Sequence, residues 1–342
     1  MAGIRFRLCT HPGKFGDILW SLPTAREFCK LDGRPVDFAI RPPYRSLIPL
    51  LSAQKYIADV FVIENWESTG SPFGDQPWES PPHGRIGIDY TIVTDLGYRS
   101  PPRDLGCARF LAAQHGMNLP ETGFYPFLTV VPSSAAPTAP KKNRYIGVGI
   151  GGREMEQQMK FWVEISKVTQ IQLLDLSKFG WLEAGTALDD VQCVAFVGSR
   201  SSLRVLALGL GKSTIIFEPH PGRNLVPHRA GAGAREVRVT TIQQGVSVLE
   251  CLLSGRCIPL ARPTDSNLDW TQYRVIYSDV SALRSAGNVT RHFRRVGDPQ
   301  GRIPQVDLPL YQIIYPTAKL WTLEQVIDDA KKHGENRVYA RR

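Results

Sequence analysis

The strongest constraint in this sequence is an alternation of short strand-like segments with longer helix-like ones. Residues 4–9 alternate apolar and polar side chains with the period of a strand. From residue 17 to residue 30, Ile18, Leu22 and Ala25 recur at the three- and four-residue spacing of an amphipathic helix. Strands that alternate with helices predict a parallel sheet that is covered by helices on both faces.

The alternation occurs twice, on either side of a segment without periodicity. Residues 130–143 are rich in proline, serine and alanine, as linkers often are. The chain has 342 residues, more than one hydrophobic core usually serves. We therefore predict an α/β protein with Rossmann-like domains at 1–135 and 144–320, a linker at 136–143, and a C-terminal helix with a basic tail at 321–342.

The individual elements follow from these patterns. Strands are predicted at residues 4–9, 36–40, 60–63, 90–94, 145–150, 171–174, 191–197, 214–217 and 237–240. Helices are predicted at residues 17–30, 105–115, 201–210, 242–253 and 321–333. The last helix has a start signal, because Thr322 is followed three residues later by Gln325 in a capping box.

The charge balance favours an anionic partner. The sequence has 41 basic and 32 acidic residues, a net charge of +9. Such a surface attracts nucleic acid, an acidic membrane surface or a phosphorylated glycan, and a merely solvated surface is the alternative. Possible polyanion contacts are Arg291, Arg294 and Arg295, which surround Phe293.

The cysteines and the hydropathy pattern indicate a cytoplasmic protein. The six cysteines are scattered without a CxxC pair, which argues against a zinc or disulfide framework. Cys9, Cys193 and Cys251 lie in apolar runs, where a thiol is a small core residue. No stretch is long enough to cross a bilayer, and no signal peptide is expected.

One apparent nucleotide motif is a false match. The sequence Gly-Lys-Ser-Thr at residues 211–214 looks like the end of a P-loop. The first glycine of that motif would be at position 206, which is Leu206, and here a helix precedes the sequence and a strand follows it. An ATPase is therefore not predicted.

Three loops at the predicted carboxyl ends of strands carry candidate site residues, because ligands of open α/β sheets bind at that edge. The first loop precedes a helix start, where glycines allow close approach and free N–H groups suit a polar ligand. Its candidate residues are His11, Gly13, Lys14, Gly16 and Asp17. Asp17 as a simple helix cap is the alternative.

The second and third loops suit a diphosphate, which needs backbone donors and fixed positive charge. The second loop spans residues 149–162, and a routine surface loop is its alternative. In the third loop, the serines could be helix caps as well as phosphate ligands. Candidate donor-binding residues are Gly151, Gly152, Arg153, Lys160, Trp162, Gly198, Arg200, Ser201, Ser202 and Glu218.

These loops, in this order, resemble the heptosyltransferase-like glycosyltransferases of family 9, which have the GT-B fold. Residues 15–24, Phe-Gly-Asp-Ile-Leu-Trp-Ser-Leu-Pro-Thr, are similar to the opening signature of the family. Residues 160–162, Lys-Phe-Trp, are similar to its Lys-x-Trp element, and residues 197–213 match its later element in part. The resemblance covers roughly residues 3–255 and implies two Rossmann-like domains facing across a central cleft, an acceptor domain and then a nucleotide-sugar donor domain.

The resemblance also implies a mechanism. Asp17 would be the general base that takes a proton from the acceptor hydroxyl, and Lys160 would stabilise the leaving diphosphate. The reaction would invert the anomeric centre and need no metal or cofactor, with the nucleotide sugar as co-substrate. The third element departs from the family, because Arg200-Ser201-Ser202 and Val205 replace an Asp-Thr-Gly and a later histidine.

The acceptor is less defined than the reaction. The basic surface suits DNA with hydroxymethylated bases, as modified by virus-encoded enzymes in the cytoplasm of a bacterial host, and this is the acceptor we expect. The alternative is the phosphorylated core of lipopolysaccharide at the inner membrane, although no amphipathic anchor helix is evident. An inactive nucleotide-sugar-binding module is the alternative from another class. Donor nucleotide, sugar, oligomeric state and the role of residues 260–320 are not predicted.

Overall fold

The computed structural model contains two parallel β-sheets with helices around them. Each sheet and its helices form one lobe, and the first lobe precedes the second in the chain. The structure describes residues 5–64, 66, 88–98, 107–117, 119, 127–130, 144–149, 155–199, 201–217, 236–239, 241–254, 269–297, 308, 312, 318 and 320–333.

The first lobe has a four-stranded sheet. Its strands are β1 (Arg5–His11), β2 (Val36–Ile40), β3 (Ile57–Val62) and β4 (Tyr90–Asp95), in the order β3-β2-β1-β4. All neighbouring strands are parallel, so their carboxyl ends meet at one edge. The helices are α1 (Phe15–Asp32), α2 (Ile48–Ser52), after a 3-10 turn at Pro42–Leu47, and α3 (Cys107–Ala113).

The second lobe has a five-stranded sheet. Its strands are β5 (Tyr145–Gly149), β6 (Gln172–Asp175), β7 (Cys193–Gly198), β8 (Thr214–Phe217) and β9 (Glu236–Val239), in the parallel order β6-β5-β7-β8-β9. The helices are α4 (Met155–Thr169), α5 (Trp181–Asp189), α6 (Ser202–Gly209) and α7 (Ile242–Leu253).

Alternate side chains of the second sheet point to two different hydrophobic cores. Tyr145, Phe196 and Ile216 pack with α5, α6 and the apolar residues of the first lobe. Ile146 and Val197 instead pack with α4 and α7. The first lobe therefore meets only one face of the second sheet in the described part of the chain, and α4 covers the other face.

The C-terminal region forms a smaller helical cluster. Its helices are α8 (Trp270–Ile276), α9 (Ala286–His292), which continues into a π-helical turn at Phe293–Gly297, and α10 (Leu323–His333). Thr322 and Gln325 form the predicted capping box before α10, since each backbone N–H donates to the side chain of the other residue. Tyr273, Val289 and Phe293 are buried in the core of this cluster.

The structure corrects three sequence interpretations. The segment predicted as a loop at 149–162 is helical from Met155 onward, because its unbranched residues favour a helix and Phe161, Trp162 and Ile165 provide a buried stripe. Residues 286–297, for which no pattern was found, are helical. Cys251, expected to be a thiol, is disulfide-bonded, although it is buried as expected. The predicted linker at 136–143 lies outside the described residues.

Candidate functional site

The loop after β1 is the best-defined candidate site, and it lies at the carboxyl edge of the first sheet. The backbone N–H of Gly13 donates to Nδ1 of His11 across 2.9 Å. A Cβ atom on Gly13 would lie 2.6 Å from Cε1 of His11 and 3.2 Å from Cβ of Asp17. The close packing of these three residues therefore requires a glycine at position 13.

His11 is a neutral side chain in this loop. It is fully buried, and burial lowers its pKa to about 3. Because Nδ1 accepts the hydrogen bond from Gly13, the ring proton is on Nε2. Within the described residues, Nε2 has no hydrogen-bond partner. His11 thus supplies a fixed donor rather than a base.

Asp17 lies in the first turn of α1. Lys14 is the residue before the helix, so Asp17 occupies the third helical position. The backbone N–H of Lys14 donates to the Asp17 carboxylate. The sequence alternative, in which Asp17 is the N-cap residue, is therefore wrong: Lys14 is the N-cap residue, and the Asp17 side chain accepts from its backbone N–H. This contact leaves a carboxylate at the positive end of the helix.

The environment of Asp17 suits a group that exchanges a proton near neutral pH. Burial is the main cause that raises its pKa to about 6. The backbone hydrogen bond from Lys14, the charge of Lys14 and a hydrogen bond from Tyr98 lower the pKa and only partly offset this effect. Asp17 can therefore accept a proton at neutral pH and remain more basic than an exposed carboxylate.

Three residues that sequence reasoning missed complete the surroundings of Asp17. The Tyr98 hydroxyl donates to Oδ1 of Asp17 across 3.5 Å. Tyr44 also interacts electrostatically with Asp17, and burial raises the pKa of Tyr44. Arg41 donates to the carbonyl of Pro12 across 3.3 Å. Arg41 directly follows β2 and Tyr98 is three residues after β4, so the strand-end rule applied to β2 and β4 as well as β1 could have found them.

The loops after β1 and β4 are packed closely together. The backbone N–H of Leu96 donates to the carbonyl of Thr10 across 2.8 Å, which extends the pairing of the strands. A Cβ atom on Gly97 would approach two ring carbons of Pro12 to 3.2 Å. These contacts fix the loop that carries Tyr98 relative to the loop that leads to Asp17.

The second lobe approaches the start of α1 through α6. A Cβ atom on Gly16 would lie 3.6 Å from Cα and Oγ of Ser202, and 3.7 Å from Val205. The hydroxyl of Ser201 caps this helix by accepting from the backbone N–H of Arg204 across 3.4 Å. The alternative role given above for the serines, that of a helix cap, is therefore observed for Ser201. Ser202 lies beside Gly16 of the first lobe.

An aromatic contact also joins the lobes next to the site. Phe15, which begins α1, stacks on Trp181 of α5 with ring centroids 5.0 Å apart. Its ring meets Tyr44 edge-on at the same centroid distance. The start of α1 thus packs between Tyr44 of the first lobe and Trp181 of the second.

Gly198 lies at the carboxyl edge of the second sheet. It pairs with Gly149 between β7 and β5, and a Cβ atom on Gly198 would lie 2.5 Å from the ring of Phe196. A glycine at position 198 therefore allows the Phe196 ring to pack under this edge of the sheet.

Lys160 and Trp162, the predicted donor residues of the Lys-x-Trp element, are on α4. Lys160 is exposed, whereas the Trp162 side chain is 1% exposed and packs edge-on against Phe161. This helix covers the face of the second sheet that is opposite to the first lobe. No contact between Lys160 and Asp17 is present in the described residues, and the donor-binding role of both α4 residues stays a prediction.

The remaining predicted residues lie on the surface of the C-terminal cluster or outside the described residues. The side chains of Arg291, Arg294 and Arg295 are exposed, whereas Phe293 between them is buried, so Phe293 cannot stack on a ligand at this surface. Five predicted donor-binding residues lie outside the described residues: Gly151, Gly152, Arg153, Arg200 and Glu218.

Metal-ligand clusters and membrane-spanning helices are both absent from the described part of the chain. There, no group of three or more His, Cys, Asp or Glu side chains is placed to hold a metal ion. None of the described helices has the length and apolar character that a membrane span requires.

Solved structures with similar folds are glycosyltransferases. Structural superposition finds Escherichia coli ADP-heptose lipopolysaccharide heptosyltransferase II with a TM-score of 0.50 and 11% identity, covering 73% of this chain and 99% of that one. The iron-containing dodecameric glycosyltransferase TibC from enterotoxigenic E. coli H10407 has a TM-score of 0.43 and 16% identity. That likeness covers 69% of this chain, and this chain spans only 62% of TibC.

A glycosyl transferase of family 9 from Veillonella parvula is also similar, with a TM-score of 0.43, 10% identity and coverage of 77% of this chain and 95% of that one. No protein-family model and no curated protein sequence matches the chain. The likeness to heptosyltransferase II confirms the predicted α/β architecture of GT-B type. The resemblance to the heptosyltransferase-like family is thereby confirmed at the level of the fold.

Proposed function

We propose that this chain is an inverting glycosyltransferase that moves a sugar from a nucleotide-sugar donor to a hydroxyl group of an anionic acceptor. The observation that carries the proposal is the Asp17 carboxylate, which accepts from Tyr98 at the carboxyl edge of the first sheet, next to Gly16, where α6 of the second lobe packs. Its pKa of about 6 matches the task of a general base near neutral pH. The GT-B fold supports the same reaction class.

The proposed reaction is a single displacement. The acceptor oxygen attacks the anomeric carbon of the sugar while Asp17 takes the hydroxyl proton. The bond from the anomeric carbon to the diphosphate breaks on the opposite face, which inverts the centre and releases a nucleoside diphosphate. Lys160 is proposed to balance the charge that develops on the leaving phosphate, so the scheme requires no metal ion.

The first lobe is proposed to bind the acceptor and the second lobe the donor. Asp17 must contact the acceptor hydroxyl, which assigns the loop of His11, Gly13, Lys14 and Gly16 to the acceptor. Ser202 and Gly198, at the facing edge of the second lobe, are assigned to the donor together with the predicted residues that lie outside the described ranges.

The replacement Asp17→Asn tests the reaction. We expect a loss of transfer of about 10²–10⁴-fold, because an amide cannot accept the acceptor proton. The dissociation constant for nucleoside diphosphate should change little, since Asp17 is not on the donor side. Transfer is measured by mass spectrometry of acceptors incubated with a panel of nucleotide sugars, and donor binding by calorimetry.

Glu27→Gln is the matched control. Glu27 lies on the same helix, pairs with Lys30 at 2.6 Å and is ten residues from Asp17, so it loses a charge of the same sign away from the site. Equal activity of wild type and Asp17→Asn would remove Asp17 from the reaction. Nucleotide-sugar binding without transfer by the wild type to any acceptor would favour the inactive binding module instead.

The acceptor proposal is DNA with hydroxymethylated bases. The net charge of +9 and the exposed side chains of Arg291, Arg294 and Arg295 support a polyanion. Sugar should be transferred to hydroxymethylated duplex DNA, and DNA binding should weaken steeply between low and moderate salt. Transfer to phosphorylated lipopolysaccharide core, without transfer to DNA, would replace this acceptor and place the enzyme beside the inner membrane rather than free in the cytoplasm.

A further inference from the structure

Tyr98 contacts the proposed general base from a fixed position. Its side chain is 3% exposed, and its hydroxyl donates to Oδ1 of Asp17 across 3.5 Å. The ring meets His11 edge-on and lies at the same centroid distance, 6.2 Å, from Phe110 of α3. Because the ring is confined by both neighbours, the hydroxyl has little freedom to leave Asp17.

The backbone that carries Tyr98 is also fixed. The Gly97 N–H donates to Oδ1 of Asp95 across 2.9 Å, and Nε2 of Gln114 donates to the carbonyl of Gly97 across 3.1 Å. Pro12 packs against Gly97 from the neighbouring loop. Tyr98 and Asp17, which are 81 residues apart in sequence, are thus joined through two loops of one sheet edge.

We propose that Tyr98 is a positioning residue, which orients the Asp17 carboxylate toward the acceptor hydroxyl and stabilises its negative charge. This inference rests on the proposed function, since it assigns Tyr98 a part in the same proton transfer. A donor on Oδ1 restricts rotation of the carboxylate and favours its charged form. Catalytic hydrogen bonds are often long in the unliganded enzyme and shorten when substrate binds, which fits the 3.5 Å separation.

The other polar groups around Asp17 do not replace this contact. Lys14 donates its backbone N–H to the carboxylate and adds a positive charge, whereas Tyr98 is the side-chain donor to it. Tyr44 interacts with both Asp17 and Arg41. The side chain of His11 is neutral above about pH 3. From the second lobe, uncharged Ser202 approaches Gly16.

The test is Tyr98→Phe, with Tyr56→Phe as the matched control. Tyr56 is another buried tyrosine of the first lobe, and its hydroxyl donates to the carbonyl of Phe127 across 2.9 Å, away from Asp17. Each variant loses one hydroxyl and one hydrogen bond and keeps its ring. Both variants should fold, and their thermal stability is compared first.

Two readouts are taken for each variant, the pH dependence of kcat/KM and the carboxyl titration of Asp17 by carbon NMR. In Tyr98→Phe the midpoint of both curves should rise by about half to one pH unit, because a donor to the carboxylate is lost. At pH 6.5, kcat should fall by about 3–10-fold with little change in KM, and higher pH should restore part of it. Tyr56→Phe should give the wild-type midpoint in both measurements.

The outcomes separate this inference from the proposed function. An unchanged Asp17 titration and pH profile in Tyr98→Phe, while Asp17→Asn is inactive, overturns the role of Tyr98 and leaves the general base in place. Full activity of Asp17→Asn overturns the general base and, with it, the catalytic role of Tyr98, whatever the titration gives. A rise of the midpoint in Tyr56→Phe equal to that in Tyr98→Phe also overturns the specific role of Tyr98.

Discussion

The first lobe holds its candidate residues in an interlocked loop, whereas the second lobe presents its candidate lysine on an exposed helix. Around Asp17, a buried histidine, a glycine without room for a side chain and Tyr98 confine the carboxylate. Lys160 stands on the exposed side of α4, next to the buried Phe161. A base must be fixed and partly dehydrated to be effective, whereas a charge that meets a mobile diphosphate can act from a flexible side chain.

This difference predicts that crowding the first-lobe loop has the largest effect. Gly13→Ala places a methyl group 2.6 Å from the buried His11 ring, which must shift together with Asp17. Displacement of a reacting group by about 1 Å can lower transfer about 100-fold. The free energy of unfolding should fall by about 1–3 kcal/mol, as for other overpacked sites. Transfer is measured by steady-state kinetics, and the free energy of unfolding by denaturant titration.

Gly287→Ala is the control for this substitution, since a Cβ atom at that position on α9 meets no atom within 4 Å. It should leave transfer unchanged and should not lower stability, because alanine favours a helix more than glycine does. Wild-type transfer by Gly13→Ala would mean that the loop geometry around His11 does not control the reaction.

The burial of Asp17 also predicts that the charged form, which is needed for activity, lowers the stability of the fold. Its folded pKa of about 6 lies above the ordinary value of 3.8 for an aspartate, so between these values the folded state binds more protons than the unfolded state. Wild-type stability should therefore fall as pH rises from about 4 to 6 and then level off. Asp17→Asn removes this charged group, so from pH 4 to pH 7 its free energy of unfolding should rise relative to that of the wild type by about 2–3 kcal/mol.

Thermal unfolding of both proteins across this pH range measures the difference. Loss of the bond from the carboxylate to the Lys14 backbone offsets part of the gain. The same pH dependence in wild type and Asp17→Asn would show that Asp17 has an ordinary pKa. Asp17 would then lack the basicity on which the proposed reaction depends.

The second-lobe lysine should show a smaller and purely ligand-dependent effect. Lys160→Ala is expected to weaken nucleoside diphosphate binding by about tenfold through the lost charge, with little change in stability because the side chain is exposed. Lys167→Ala, on the same helix but paired with Glu164 at 2.9 Å, should not change nucleotide affinity. Equal affinities in calorimetry for wild type and Lys160→Ala would exclude Lys160 from the donor site.

Periodicity in the sequence predicted most of the fold. Residues 36–40, 214–217 and 242–253 were predicted with the bounds that the structure has, because continuous or regularly spaced apolar residues mark them. The helices Trp181–Asp189 and Met155–Thr169 were not predicted as such. In α4, neighbouring glycines and charges suggested a ligand loop, and the buried stripe of Phe161, Trp162 and Ile165 was overlooked.

The candidate site was predicted in part. Asp17 and the glycines were identified because they lie within one contiguous motif. Tyr98 and Arg41 lie in loops that follow other strands. Their distance from Asp17 depends on the strand order β2-β1-β4, which cannot be predicted from periodicity. Likewise, the approach of Ser202 to Gly16 depends on how the lobes pack. Burial and long-range contacts are set by tertiary structure, so the raised pKa of Asp17 could not be predicted.

The most direct test is the pH dependence of kcat/KM for wild-type transfer. If Asp17 is the general base, the rate should rise about tenfold per pH unit at low pH and level off above a midpoint near 6, its expected pKa. A constant rate from about pH 4.5 to 8, or a midpoint that persists in the residual activity of Asp17→Asn, would contradict the assignment of this carboxylate as the base.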